Sequence, residues 1–387
     1  MPYTREARGL LTFLFACLVA GPALAAVQVQ PPPAIDAKAY VLVDFATGKV
    51  LAGQNENTRL EPASITKLMT AYAVYKALEA GAVKLDDPVM VSENAWRTGG
   101  AGSGGSTTML PINSSAPLEV MLKGMIIQSG NDASIALAEH LAGSEGAFAD
   151  VMNRHAKELG LTNSNFMNAT GLPDPSHYMS AADIAKLSRA IIAEFPQHYA
   201  WYKERDYVFN GIRQGNRNLL LYRDPSVDGL KTGHTSSAGY CLAASAKRGD
   251  MRLISVVMAM ANEEARAKAS AELLNYGFRF YETRQLYKAG QKVAEARVWK
   301  GTAEQVALGT AQELWVTLPR GSLDEVQAST EAPRDLIAPL DTATAVGRLK
   351  LTLAGKPLAE VPITPLADVA EGSLWRQAVD TVLLWFE

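Results

Sequence analysis

A chain of 387 residues, 48% hydrophobic and 20% charged, can bury a large core and has room for more than one domain. Its formal net charge of -3, with no basic run or aromatic-interleaved basic stripe, argues against nucleic acid as a partner. The five histidines (His140, His155, His177, His198, His234) show no H-E-x-x-H or comparable ligand spacing, so neither a metal site nor a cofactor is expected.

The N-terminus differs in kind from the rest. Arg5 and Arg8 precede an apolar run from Leu10 to about Ala20, and Ala23-Leu24-Ala25 supplies the small residues found before a signal-peptidase cut. Residues 1–25 are therefore expected to be a secretory signal, since the run is short for a membrane span. Phe15 is bulky where a lipoprotein site before Cys17 takes a small residue, so lipidation is not expected. Cleavage leaves Cys241 as the lone thiol, in an apolar strand-like run where core burial is expected. A lone cysteine forms no internal disulfide, so an exported chain of this kind relies on its core for stability.

After Pro31-Pro32-Pro33, the segments Ala39–Asp44 and Val50–Ala52 read as two strands joined by a turn through Gly48. The stretch Glu61-Pro62-Ala63-Ser64-Ile65-Thr66-Lys67 follows. From Lys67 to Glu79 the residues Leu68, Ala71, Tyr72, Tyr75 and Leu78 recur with helical spacing. Ser64 and Lys67 would then share a helix face near its start, where backbone N–H groups favour negative charge. Gly100-Ala101-Gly102-Ser103-Gly104-Gly105 matches G-x-G-x-x-G, but no strand leads in and no helix opens from it. A mobile loop, able to serve as the rim of a site, is expected there instead.

A helix is expected from Leu118 to Ile127 and another from Ser134 to Leu141, with Ser129-Gly130-Asn131-Asp132 between them. That polar stretch is either a helix–helix turn capped by Asn131 or Asp132, or a polar group driven into the interior. Ala181–Ala193 is helical by spacing, and Tyr207–Leu221 reads as strands. Lys231-Thr232-Gly233-His234 opens a meander whose further strands are Tyr240–Ala246 and Arg252–Met260, and a helix from Asn262 to Tyr276 closes this part. Short β-type runs then alternate with Gly and Pro turns, among them Gln305–Leu308, Leu314–Leu318 and Gly347–Leu353. From Gly372 onward, Leu374, Trp375, Ala378, Val379, Val382, Leu383 and Phe386 share one helical face, with Arg376, Gln377, Asp380 and Thr381 opposite. Such a helix is too short to span a bilayer and suits its interface; packing on the β region or self-association are the other readings.

Ser64-x-x-Lys67, Ser129-x-Asn131 and Lys231-Thr232-Gly233 in that order are far more specific than any one of them. Together they resemble the penicillin-binding protein and serine β-lactamase superfamily, whose signatures are S-x-x-K, S-D-N and K-T-G. Gly130 in the middle motif and His234 after the third resemble its D-alanyl-D-alanine carboxypeptidases.

The resemblance implies an α+β fold. A β-lactamase-like catalytic domain over 33–282, an antiparallel sheet with helices on both faces, would precede a small β-sandwich over 283–365 and an amphipathic anchor over 368–387. It implies an exported enzyme at the periplasmic face of the bacterial inner membrane, acting on peptidoglycan stem peptides ending in D-Ala-D-Ala and acylated by β-lactam antibiotics. Ser64 would be the nucleophile, Lys67 its base once burial and cations such as Lys231 lower its pKa, and Ser129 a proton relay. Asn131 would hold Lys67 or the substrate amide. Lys231, Thr232 and Gly233 would bind the terminal carboxylate, with Arg266 as a further cation and His234 either bonding across the site or packing.

Rival readings on the same fold are a β-lactamase, a D,D-endopeptidase and a non-catalytic wall-binding or β-lactam-sensing protein. Against the first, Asn168–Asp174 offers no glutamate of the kind that deacylates class A β-lactamases.

Overall fold

The computed structural model describes residues 29–386, so the signal-peptide reading of residues 1–25 lies outside it. Side chains alternate across a strand, and the Ala39–Asp44 strand uses both faces. Ala39, Val41 and Val43 enter one core, while Tyr40 and Leu42 enter another. That strand is second in a five-stranded antiparallel sheet ordered 50–54, 39–44, 251–260, 239–248, 227–235. One face is covered by the helices Lys67–Glu79, Asn131–Ala142, Glu145–Glu158 and Ala181–Glu194. The other is covered by Glu263–Phe280, whose Ala267, Leu273 and Leu274 pack on Leu242 and Leu253. Asn262 starts that helix by accepting the Ala265 N–H at 2.8 Å. The Val227–Thr235 strand therefore lies at a sheet edge.

Two segments depart from the sequence reading. The strands expected over 207–221 are a hairpin, Asp206–Phe209 with Ile212–Gly215, followed by a short helix Leu220–Arg223. Asn216 and Asn218 end the strand run, because their side-chain oxygens accept the N–H groups of Asn218 and Leu220 and turn the chain. The helix Glu145–Glu158, for which no element was expected, starts on the Ser144 hydroxyl and buries Phe148 and Met152.

Beyond Phe280 the described chain is β-structured up to its last helix. Tyr281–Tyr287 pairs with Leu314–Pro319, and a six-stranded sheet runs 326–331, 347–353, 356–365, 305–310, 292–299, 335–337. Val298, Leu308, Leu318, Leu349 and Ile363 form its own core.

The last helix, Leu374–Leu383, sits with its polar side inward. Asp380 is buried and accepts the Lys300 N–H at 2.5 Å, whereas Leu374, Trp375 and Phe386 are 85%, 79% and 83% exposed. Among the described residues no helix is long and apolar enough to cross a membrane.

Candidate active site

The turn that carries Ser64 is wedged against the edge strand. Ala63–Thr66 is a 3-10 turn running directly into the Lys67–Glu79 helix, with Ala63 at φ 49°, a left-handed conformation that a non-glycine residue adopts at a cost. Gly233 allows the approach, since a Cβ there would stand 2.6 Å from the Pro62 carbonyl oxygen. The i,i+3 spacing puts Lys67 Nζ 2.9 Å from Ser64 Oγ. Nζ also donates to Asn131 Oδ1 and to the Thr170 carbonyl, each at 2.8 Å.

Burial lowers the Lys67 pKa to about 7, and Arg217 adds to the effect, while Asp132 and Glu145 oppose it. Arg217 is thus a cation near Lys67 that the motifs did not announce, additional to the Lys231 anticipated from them, which is itself coupled to Lys67. Arg217 is exposed in a loop and belongs to no motif, so spacing gave no sign of it. The Thr170 carbonyl was equally invisible, because backbone groups carry no sequence signature.

Asn131 is brought to Lys67 by an irregular helix end that also carries Ser129. Leu118–Lys123 passes into a π turn over Gly124–Gln128, and Ser129 follows at φ 69°. Of the two readings of this stretch, the buried polar group is what Ser129 shows, its Oγ unpartnered among the described residues, whereas the helix that Asn131 begins has Gly130 at its N-cap and is capped by neither the Asn131 nor the Asp132 side chain.

The glycine-rich loop packs on Asn131, whose N–H donates to the Ser106 carbonyl at 2.8 Å, and a Cβ on Gly105 would meet Asn131 Nδ2 at 2.7 Å. Asp132, wholly buried, holds the loop's far end by accepting from Thr107 Oγ1, Thr108 N and Leu110 N at 2.8, 2.8 and 3.1 Å. Gly104 and Gly105 line one wall of the cleft over Ser64, with Gly171 and His234 among the residues around it.

On the strand side, Lys231 and Thr232 are buried, and Lys231 Nζ donates to the Thr232 carbonyl at 3.1 Å. Burial, then Lys67, Arg217 and Arg266, hold the Lys231 pKa well below the usual lysine range. Arg266 is buried behind the strand and donates to the Gly233 carbonyl at 3.3 Å and to Glu263 at 2.6 Å. His234 is exposed and lies on Tyr240, ring centroids 3.9 Å apart. A cleft with the Ser64 hydroxyl beside a depressed amine, and a strand bearing Lys231 and Thr232 opposite, suits attack on a carbonyl next to a carboxylate.

A family model described as D-alanyl-D-alanine carboxypeptidase, peptidase S11, matches residues 25–262. The chain belongs to that family. A second model, penicillin-binding protein 5, C-terminal domain, matches residues 281–371 of the carboxypeptidase. The chain is 44% identical over 390 residues to the D-alanyl-D-alanine carboxypeptidase DacC of Escherichia coli (strain K12), spanning 99% of this chain and 97% of that one. Penicillin-binding protein 5 from Haemophilus influenzae superimposes with a TM-score of 0.84 at 40% identity, covering 88% of this chain and 100% of the other. Penicillin-Binding Protein D2 from Listeria monocytogenes, solved in an ampicillin-bound form, matches 64% of this chain and all of its own at 28% identity, with a TM-score of 0.56. The α+β fold is thus that of the penicillin-binding proteins, and the enzyme is a D-alanyl-D-alanine carboxypeptidase.

Proposed function

We propose that this carboxypeptidase removes the terminal D-alanine of peptidoglycan pentapeptides through an ester formed on Ser64, with Lys67 as the base. The observation that carries the reading is the set of three partners around Lys67 Nζ. A neutral amine keeps two N–H bonds and one lone pair. If Asn131 Oδ1 and the Thr170 carbonyl take the two N–H bonds, the lone pair is left facing Ser64 Oγ.

In acylation, Ser64 Oγ bonds to the carbonyl carbon of the penultimate D-alanine as its proton passes to Lys67. The oxyanion is met by backbone N–H groups, Ser64's own among them. The C–N bond breaks, the leaving amine takes a proton relayed through the buried Ser129 hydroxyl, and D-alanine departs. Water then hydrolyses the ester. Lys231, Thr232 and the exposed Arg217 receive the substrate's terminal carboxylate, a charge-assisted contact worth about 1.5–3 kcal/mol. Gly233 gives the strand its close approach to the turn. Arg266 acts from behind through the Gly233 carbonyl, and His234 borders the cleft.

Labelled penicillin should add to Ser64, read by mass spectrometry of the active-site peptide, and Ser64→Ala should remove the label. In the same preparation a pentapeptide-bearing muropeptide should lose one alanine. Label on another residue, or a muropeptide left intact, would sink the proposal, and cleavage of a cross-link would make the enzyme an endopeptidase.

We also infer peripheral attachment to the periplasmic face of the inner membrane through the Leu374–Leu383 helix. Support comes from its orientation, with Asp380 turned into the β region, Leu374, Trp375 and Val382 turned out, and Phe386 exposed just past its end. The apolar N-terminal segment with its Ala23-Leu24-Ala25 site supports export.

A further inference from the structure

A buried histidine outside the three motifs ties the nucleophile turn to the loop that supplies a Lys67 acceptor. His177 is 3% exposed. Its Nδ1 accepts the Met167 N–H at 3.2 Å, which puts the ring proton on Nε2, and Nε2 donates to Thr66 Oγ1 at 2.8 Å. Burial lowers its pKa to about 4, so the ring is neutral, as that pair of bonds requires. The ring is held edge-on by Phe166, centroids 5.7 Å apart.

Both ends of this link reach the reacting groups. Thr66, wholly buried, lies between Ser64 and Lys67 in the chain. The loop carrying His177 also carries the Thr170 carbonyl that accepts from Lys67 Nζ. Loop and turn are in contact at Gly171, φ 81°, where a Cβ would stand 1.9 Å from the Ala63 carbonyl oxygen and 2.7 Å from Thr66 Oγ1. One turn along the helix, Thr70 Oγ1 donates to the Ala169 carbonyl at 2.7 Å. That second attachment would keep the loop in place without His177, but free to shift relative to Ser64.

We propose that His177 is a positioning residue for acylation: its bond to Thr66 sets the spacing between the nucleophile turn and the Thr170 carbonyl, and so aims the Lys67 lone pair at Ser64. The proposal rests on the reading of Ser64 as nucleophile and Lys67 as base. A displacement of about 1 Å between reacting groups costs on the order of 100-fold in rate.

The test is stopped-flow acylation by a chromogenic penicillin, which separates the noncovalent dissociation constant from the acylation rate constant. His177→Leu should lower the rate constant about 100-fold and leave the dissociation constant unchanged. His177→Gln should recover most of the rate, because its Oε1 can accept from Met167 while its Nε2 donates to Thr66. A role confined to stability would not produce that split or that rescue. Parent-like acylation by His177→Leu, a loss confined to the dissociation constant, or a glutamine variant as slow as leucine would each overturn the proposal. Should His177→Leu fail to fold, Thr66→Val removes the acceptor at nearly constant volume and should show the same loss; a normal rate there overturns it equally. If the parent protein is not labelled at Ser64, the underlying acyl-enzyme reading falls; if it is labelled and His177→Leu reacts normally, only the role of His177 does.

Discussion

Lys67 is the residue on which most of the chemistry turns, because its protonation state decides whether Ser64 can be activated. With its pKa lowered to about 7, the neutral amine becomes the major form only above that pH. We therefore expect the acylation rate constant to rise about tenfold per pH unit below 7 and to level off above it. A profile flat from pH 5 to 9 would exclude Lys67 as the base. The same shift has a stability consequence of defined sign. The folded pKa lies below the unfolded value of 10.5, so between about 7 and 10.5 the unfolded chain binds more protons and folding gains as pH rises. Relative to a Lys67→Met variant, the parent's Tm should climb across that window. A difference in Tm that does not change with pH would show that Lys67 is not buried as a neutral base.

Among the elements, the terminal helix has the most direct test. A helix that serves only to complete a core turns its apolar face inward, and here Asp380 faces inward instead. The double variant Trp375→Glu, Phe386→Glu should abolish co-sedimentation with phospholipid vesicles and leave turnover of a soluble pentapeptide unchanged. Retained sedimentation would place the membrane contact elsewhere, and a loss of dimerisation without loss of sedimentation would make this face a self-association surface. Elements with dense apolar periodicity were legible in the sequence, and the Lys67–Glu79 helix has the bounds that its spacing predicts. The Glu145–Glu158 helix escaped because its large apolar residues are sparse, Phe148, Val151 and Met152 among charged and small neighbours.

Across the whole molecule, the catalytic body and the β region are joined by a buried carboxylate. Asp44, at the end of a strand in the catalytic sheet, accepts from Thr47 N and Oγ1 at 2.8 Å each and from Thr283 Oγ1 at 2.7 Å. Lys49 Nζ reinforces the joint by donating to the Thr317 carbonyl at 3.0 Å. Asp44→Ala removes the acceptor shared by Thr47 and Thr283 at a partly buried junction where Thr317 Oγ1 is their other partner, at a cost of about 1–3 kcal/mol for each donor left unpaired. The expected outcome is a lowered denaturation midpoint and faster proteolysis near residues 283–290, with penicillin labelling at Ser64 retained. Unchanged midpoint and cleavage would mean that the junction is held by other contacts.

Taken alone, the sequence determined the family resemblance, the alternating strands and the three motifs in order. These are local patterns of side-chain type and spacing, and Ser64 and Lys67 are near neighbours in any helical turn. What brings Asn131 to Lys67 is long-range: a π turn, a left-handed serine, and a glycine-rich loop pinned by Asp132. Arg217, the Thr170 carbonyl and His177 came to light only in the folded chain, because each acts by its position in space. The depressed pKa of Lys67 is likewise a tertiary property, since burial is its largest cause and no spacing of residues encodes the loss of solvent.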